Sequence, residues 1–181
     1  MRVRLLLIGV AVLATSWRPA ALTVLPATFE ELVRESHAVV HGRVVAVEGR
    51  WSADRRTIES LVTLEAIDHF KGTATATTTF RVPGGDAGGR RLVVVGAPAF
   101  APGDDVVVFL RGQAPALPTP VGLSLGVYRV ARDPRSGGLV VIPTPIRAAE
   151  SPTRVARGAL TRTVQPLAAF GAEVRAVAEQ P

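Results

Sequence analysis

The sequence of 181 residues contains no cysteine. That excludes disulfides, thiolate metal sites, thiol nucleophiles and a lipid-modified cysteine. Lysine occurs once, as Lys71, so arginine supplies almost all the positive charge and holds the pI near 11.3. Aromatic residues make up only 5% of the chain, which leaves a core to be built mainly from valine, leucine, isoleucine and alanine. No apolar run approaches the ~20 residues that a membrane-crossing helix needs, so no stable membrane span is expected. Clustered charge of one sign is absent too. Arginines are scattered, and the adjacent pairs Arg55-Arg56 and Arg90-Arg91 fall in predicted loops. A nucleic-acid footprint requires clustering on one face, so no nucleic acid is expected as partner.

What is present begins with an export layout. Met1-Arg2-Val3-Arg4 is a short positive start, Leu5 to Ala14 is an uncharged apolar run, and small residues with a helix breaker follow through Pro19-Ala20-Ala21. These are the three regions of a secretory signal. The expectation is a signal peptide over residues 1–21, cleaved near Ala20 or Ala21 with Ala14-Thr15-Ser16 as a second acceptable site, and a secreted or periplasmic location. Three of the arginines lie in that segment. The remaining chain then carries 18 basic and 15 acidic residues, a net of +3.

Apolar residues make up 48% of the chain, too many for disorder, and valine comes in runs. Branched Cβ atoms favour pleated strands. Thr28-Phe29-Glu30-Glu31 is a capping box and predicts a short helix over residues 29–35 with Phe29, Leu32 and Val33 on one stripe. Residues 37–49 read as a strand with Ala38, Val40, Val44 and Ala46 on one face. Gly42 on that face marks a bulge or sharp coil. Residues 57–70 and 73–82 alternate with period two, burying Ile58, Val62, Leu64 and Ala66, then Ala74, Ala76, Phe80 and Val82. Leu92–Val95 and Val106–Leu110 are short continuous runs that suit strands covered on both faces. A hairpin is expected over residues 123–131 and 139–142. Pro166 suits the first turn of a helix bearing Leu167, Phe170, Val174 and Val177 on one face. The fold class is therefore all-β. Closely spaced strands without crossover helices favour a small barrel over a parallel sheet. It is divided into a barrel domain at 22–143, an irregular linker at 144–165 and a C-terminal helix at 166–181.

Three stretches share a pattern: Ser36-His37-Ala38-Val39-Val40-His41-Gly42-Arg43-Val44, then Thr63 to Gly72 ending in Phe70-Lys71-Gly72, then Pro102-Gly103-Asp104-Asp105-Val106-Val107-Val108-Phe109-Leu110. In that order they resemble the netrin-like module of the tissue inhibitors of metalloproteinases and of complement C-terminal domains, and uncharacterised exported bacterial proteins with the same pattern. The resemblance spans residues 36–110 and implies an OB-type barrel. Those inhibitors act through an N-terminal disulfide-fixed cysteine on the target's zinc. This chain has none, so no inhibitory residue carries over, and fold alone does not give function.

Catalytic chemistry is hard to assemble. His37 and His41 are four apart in a strand, about 13 Å, too far for one metal. They read as edge or surface histidines. Asp68 and His69 point to opposite strand faces and are no dyad. Asp104-Asp105 reads as turn chemistry, and Gly84 to Gly89, without a Gly-Lys-Ser/Thr ending, as a flexible hairpin tip. No catalytic residue, cofactor or metal is assigned, and the chain is read as no enzyme. The expected function is a non-catalytic binding module for a protein partner in the envelope or outside the cell. Its contacts would lie in loops 50–56, 83–91 and 112–121, with Arg50, Trp51, Arg55, Arg56, Arg90 and Arg91 as the candidate residues, because tryptophan and arginine anchor interfaces most often. The alternatives are a protease inhibitor or accessory factor by fold analogy, and an unrecognised hydrolase.

Overall fold

Two strands of fourteen residues each, β1 (Ala38–Trp51) and β2 (Ile58–Lys71), form a long antiparallel hairpin around which the rest of the computed structural model is arranged. The structure describes residues 28–112, 114–144 and 163–180. The expected signal peptide at 1–21 and most of the expected linker at 144–165 lie outside these residues.

Strand β3 (Thr77–Pro83) pairs with β2. A separate small hairpin follows, β4 (Gly85–Ala87) with β5 (Arg90–Leu92). Strand β6 (Asp105–Arg111) pairs with the first half of β1 on one side. On its other side it takes β8 (Val127–Arg132) and, further along, the short β7 (Thr119–Pro120). Strands β9 (Leu139–Pro143) and β10 (Gln165–Pro166) complete the order β10-β9-β8-β6-β1-β2-β3, all antiparallel. Helices α1 (Phe29–Glu35) and α2 (Leu167–Ala178) flank the sheet. The all-β class with one short helix before and one helix after is as the sequence predicts.

The sheet is not closed, so the barrel reading is not met by strand pairing. The approach to closure is a backbone bond of 2.9 Å from Arg81 N of β3 to the oxygen of Pro118, beside β7. β7 pairs over only two residues, so it is too short to lay a ladder against β3.

Apolar residues pack on both faces. On the helix side, Val107 and Phe109 of β6 meet Leu32 and Val33 of α1, Phe70, Tyr128 and Val141, with Phe170, Val174 and Val177 of α2. On the other side, Val106, Val108 and Leu110 meet Val44, Val62, Leu64, Phe80, Val82 and Val127. Val106 to Leu110 are all fully buried, as a continuous apolar run in a doubly covered strand requires. Each such side chain contributes roughly 1.5–3 kcal/mol of transfer free energy.

Local signals explain the helix ends. Thr28 Oγ1 accepts from Glu31 N at 3.2 Å, and the Glu31 carboxylate accepts from Thr28 N at 2.7 Å. The Phe70-Lys71-Gly72 stretch has a task for each residue. Phe70 enters the helix-side core and its ring lies against Gly171, where a Cβ would stand 2.8 Å away. The Lys71 ammonium donates to the carbonyls of Val33 (2.5 Å) and Ser36 (2.7 Å), tying the C-terminus of α1 to the end of β2. Burial lowers the Lys71 pKa. Gly72 turns the chain at φ 89.

Two strand expectations need correction. Residues 73–76 are not in a strand, and Ala74 and Ala76 are exposed. Gly72 breaks the pleat, and the loop is held by the His69 ring, whose Nε2 lies 3.0 Å from Thr75 O and 3.2 Å from Thr75 N. Leu92–Val95 is not covered on both faces either. β5 ends at Leu92, and Val93 and Val95 are 74% and 64% exposed, because no second layer lies over this segment. Residues 123–126, expected to open the last hairpin, form a 3-10 turn instead.

Candidate functional site

The far half of the β1–β2 hairpin runs beyond β6, since β6 pairs only as far as Arg43. At its tip, Trp51 pairs with Ile58, and Ser52 to Thr57 close the turn. Ser52 N donates to Thr57 O and Ser52 Oγ donates to the Asp54 carboxylate at 2.6 Å. That hydroxyl, with the amide of Arg56, lowers the Asp54 pKa. Arg55 takes a positive φ of 56 at the turn.

The β4–β5 hairpin folds down onto this tip through glycines. A Cβ on Gly49 would stand 1.8 Å from the Asp86 oxygen, and one on Gly85 would stand 2.2 Å from Ser60 Oγ. A side chain at Gly49 would displace the hairpin backbone, and one at Gly85 would displace the Ser60 hydroxyl and meet a φ of 132 that favours glycine. Ser60 Oγ donates to Gly84 O at 2.8 Å and fixes the hairpin's root.

This docking brings Arg90 over the Trp51 ring, guanidinium carbon to centroid 6.0 Å, within cation–π range. Trp51 remains 36% exposed. Of the six candidates, Trp51 and Arg90 are therefore in contact. Three of the others face local acids, and Arg55 has no acidic partner among the described residues. Arg50 bonds Glu59 at 2.8 and 2.9 Å, and Arg81 approaches the same carboxylate at 3.8 Å. Arg56 stands 4.0 Å from Asp54, and Arg91 stands 3.9 Å from Asp86. Loop 112–121 is held differently: it leaves β6 beside Leu110, the partner of Ala38, and its Pro118 accepts from Arg81 N.

Sequence reasoning missed two features. One is a cleft of about 370 Å³ between the β4–β5 hairpin and the 93–100 segment. Glycines at 49 and 85 were the available signal, because glycine in a strand marks close backbone approach. The other is His41, which is neither an edge nor a surface residue. It is 3% exposed, its Nε2 lies 2.8 Å from the Asp105 carboxylate, and its ring stacks on Phe70 at 6.3 Å. Its partner is 64 residues away, so no local pattern reveals the pair. Above Phe70 lies Arg175 of α2, 5.0 Å from the ring centroid and 2.8 Å from Asp68. Its burial between core and helix gives His41 the setting of a structural histidine.

Among the described residues, no group of three or more His, Asp or Glu side chains could hold a metal ion, and no helix is long and apolar enough to cross a membrane. No protein-family model, curated protein or solved structure matches the chain, and nothing in these comparisons identifies a netrin-like module.

Proposed function

We propose that this chain is an exported, non-catalytic binding module that engages a protein partner through the β1–β2 tip and the β4–β5 hairpin docked on it. The observation that carries the reading is the Trp51–Arg90 contact. Two side chains of the types that most often anchor interfaces stand together and half open to solvent. The glycine-mediated docking beneath them holds the pair in place, so a partner meets a surface already ordered. The export part of the reading rests on the N-terminal layout of residues 1–21.

The test is a Trp51→Ala, Arg90→Ala double variant used as bait beside the native protein in an envelope pull-down. Both baits are first matched for melting temperature. Loss of anchors of this kind weakens capture of a specific partner by roughly thirtyfold, the equivalent of about 2 kcal/mol. Equal capture of every partner by native and variant baits would show that the tip is not the binding surface.

A further inference from the structure

We propose that the free edge of β1 pairs with the same edge of a second copy of this chain, antiparallel and centred on Gly49. β6 reaches along β1 only as far as Arg43. Val44 is the last residue closed on that side: its N donates to Asp104 O and its O accepts from Gly103 N, both at 2.8 Å. The β1–β2 ladder then shifts register between Val44 and Ala46. From Ala46 to the turn at Ser52, β1 has β2 on one side and, among the described residues, no backbone partner on the other. An open strand edge is a template for another strand, because its N–H and C=O groups are aimed and unpaired.

The ladder says which groups face outward. Ser52 N donates to Thr57 O, so these two residues form a hydrogen-bonded pair. Hydrogen-bonded and open pairs alternate in an antiparallel ladder. Arg50–Glu59, Glu48–Leu61 and Ala46–Thr63 are therefore hydrogen-bonded too. Ile58, opposite Trp51, turns its carbonyl the other way and accepts from Gly84 N, as this alternation requires. Val47, Gly49 and Trp51 thus point their backbone groups away from β2, into the open edge. Gly49 stands at the middle of that edge. A second copy set antiparallel about it exchanges both bonds between the two Gly49 residues, and between Val47 and Trp51 of the second copy in each direction. Only the backbone of Trp51 takes part. Its ring stays on the hairpin face with Arg90, so the inference goes beyond the partner reading.

Charge selects this occupant and this register. Glu48 and Arg50 flank Gly49 and, by alternation, share the strand face away from the hairpin. Both are exposed, and Glu48 has no ion pair among the described residues. About Gly49, Glu48 falls opposite Arg50 of the second copy, and Arg50 opposite its Glu48. These are open pairs, where side chains across the ladder stand closest. Moving the centre by one residue sets Glu48 against Glu48, or Arg50 against Arg50, and like charges directly opposite destabilise a ladder. The edge is therefore complementary to itself in one register.

The experiment is sedimentation equilibrium of the full chain and of two charge variants, each first checked for a native melting temperature. The native chain should exchange reversibly between monomer and dimer, with a dissociation constant on the order of 100 micromolar, as suits a short edge and a small interface. Glu48→Arg alone and Arg50→Glu alone each set like charges opposite, and each should weaken the dimer by about tenfold or more. Mixed in equal amounts, the two variants pair opposite charges at both positions, and association should return to within about threefold of native. If Arg50→Glu does not fold beside Glu59, adding Glu59→Gln removes the repulsion within the chain. A native chain that stays monomeric overturns the proposal. So does native-like association of either variant alone, or a mixture that associates no better than its components. A monomeric chain whose Glu48→Arg variant loses an envelope protein that the native chain captures would give the edge to a partner's strand, and would equally overturn the second copy. Capture through the Trp51 and Arg90 side chains is read by the separate pull-down.

Discussion

At the scale of single residues, chemistry rare in this chain is placed where it matters. The one lysine ties α1 to β2. Arginine would not substitute simply, since its planar fork is less able to direct donors at two carbonyls from a compact point charge. Removing the ammonium leaves the carbonyls of Val33 and Ser36 without that donor at a helix C-terminus, where positive charge is favoured. Lys71→Met is expected to lower stability by about 2 kcal/mol, the range of a hydrogen bond to a charged group. A denaturant melt checks it: a shift in midpoint with unchanged slope is the predicted form, and an unchanged midpoint would show that the tie is dispensable. His41 shows the opposite case. Nothing near it in sequence announces burial, yet its pairing with Asp105 across two strands keeps a polar ring inside without an orphaned charge.

At the scale of elements, period-two alternation placed β2 and the second half of β3 correctly. Val62 and Val82 are buried, Thr77 is exposed, and the register Val62↔Phe80 puts the apolar set on one face. Val62→Asp should cost on the order of 4 kcal/mol or more, since it buries an unpaired charge. Thr77→Asp should stay within about 0.5 kcal/mol. Thermal melts of both variants decide it, and comparable losses would reject the register. The same alternation misled at residues 73–76, where alanine and threonine repeat without a partner strand. Alanine buries too little area to hold a strand against a glycine turn. Gly42 was legible, because a mid-strand glycine signals close approach. The pairing of β1 with β2 shifts register between His41 and Gly42, and a Cβ there would meet Glu65 O at 2.5 Å.

At the scale of the whole molecule, the three stretches at 36–44, 63–72 and 102–110 fall on three adjacent strands, β1, β2 and β6. They supply much of both cores, so their apolar pattern is legible as packing. The proposed export gives a direct prediction. N-terminal sequencing of the protein recovered from the envelope or medium should start between Trp17 and Val24. Recovery with Met1 intact would rule out cleavage.

Residue order alone determined the all-β class, both helices with the capped first turn of α1, the doubly buried β6 and most strand faces, whereas Pro166, expected in the first turn of α2, pairs in β10 and precedes the helix. These rest on local rules: a side chain's direction along a strand or helix follows from its position in the repeat. Tertiary structure decided the rest. Whether the sheet closes depends on the length of β7, which two residues of pairing settle. Which arginines stand free depends on acids brought from other strands, as Glu59 is brought to Arg50. Trp51 meets Arg90, His41 meets Asp105, and a cleft opens between residues 47 and 100 because backbone contacts at glycines bring distant segments together. Those distances are set by packing in three dimensions, and no periodicity in one dimension encodes them.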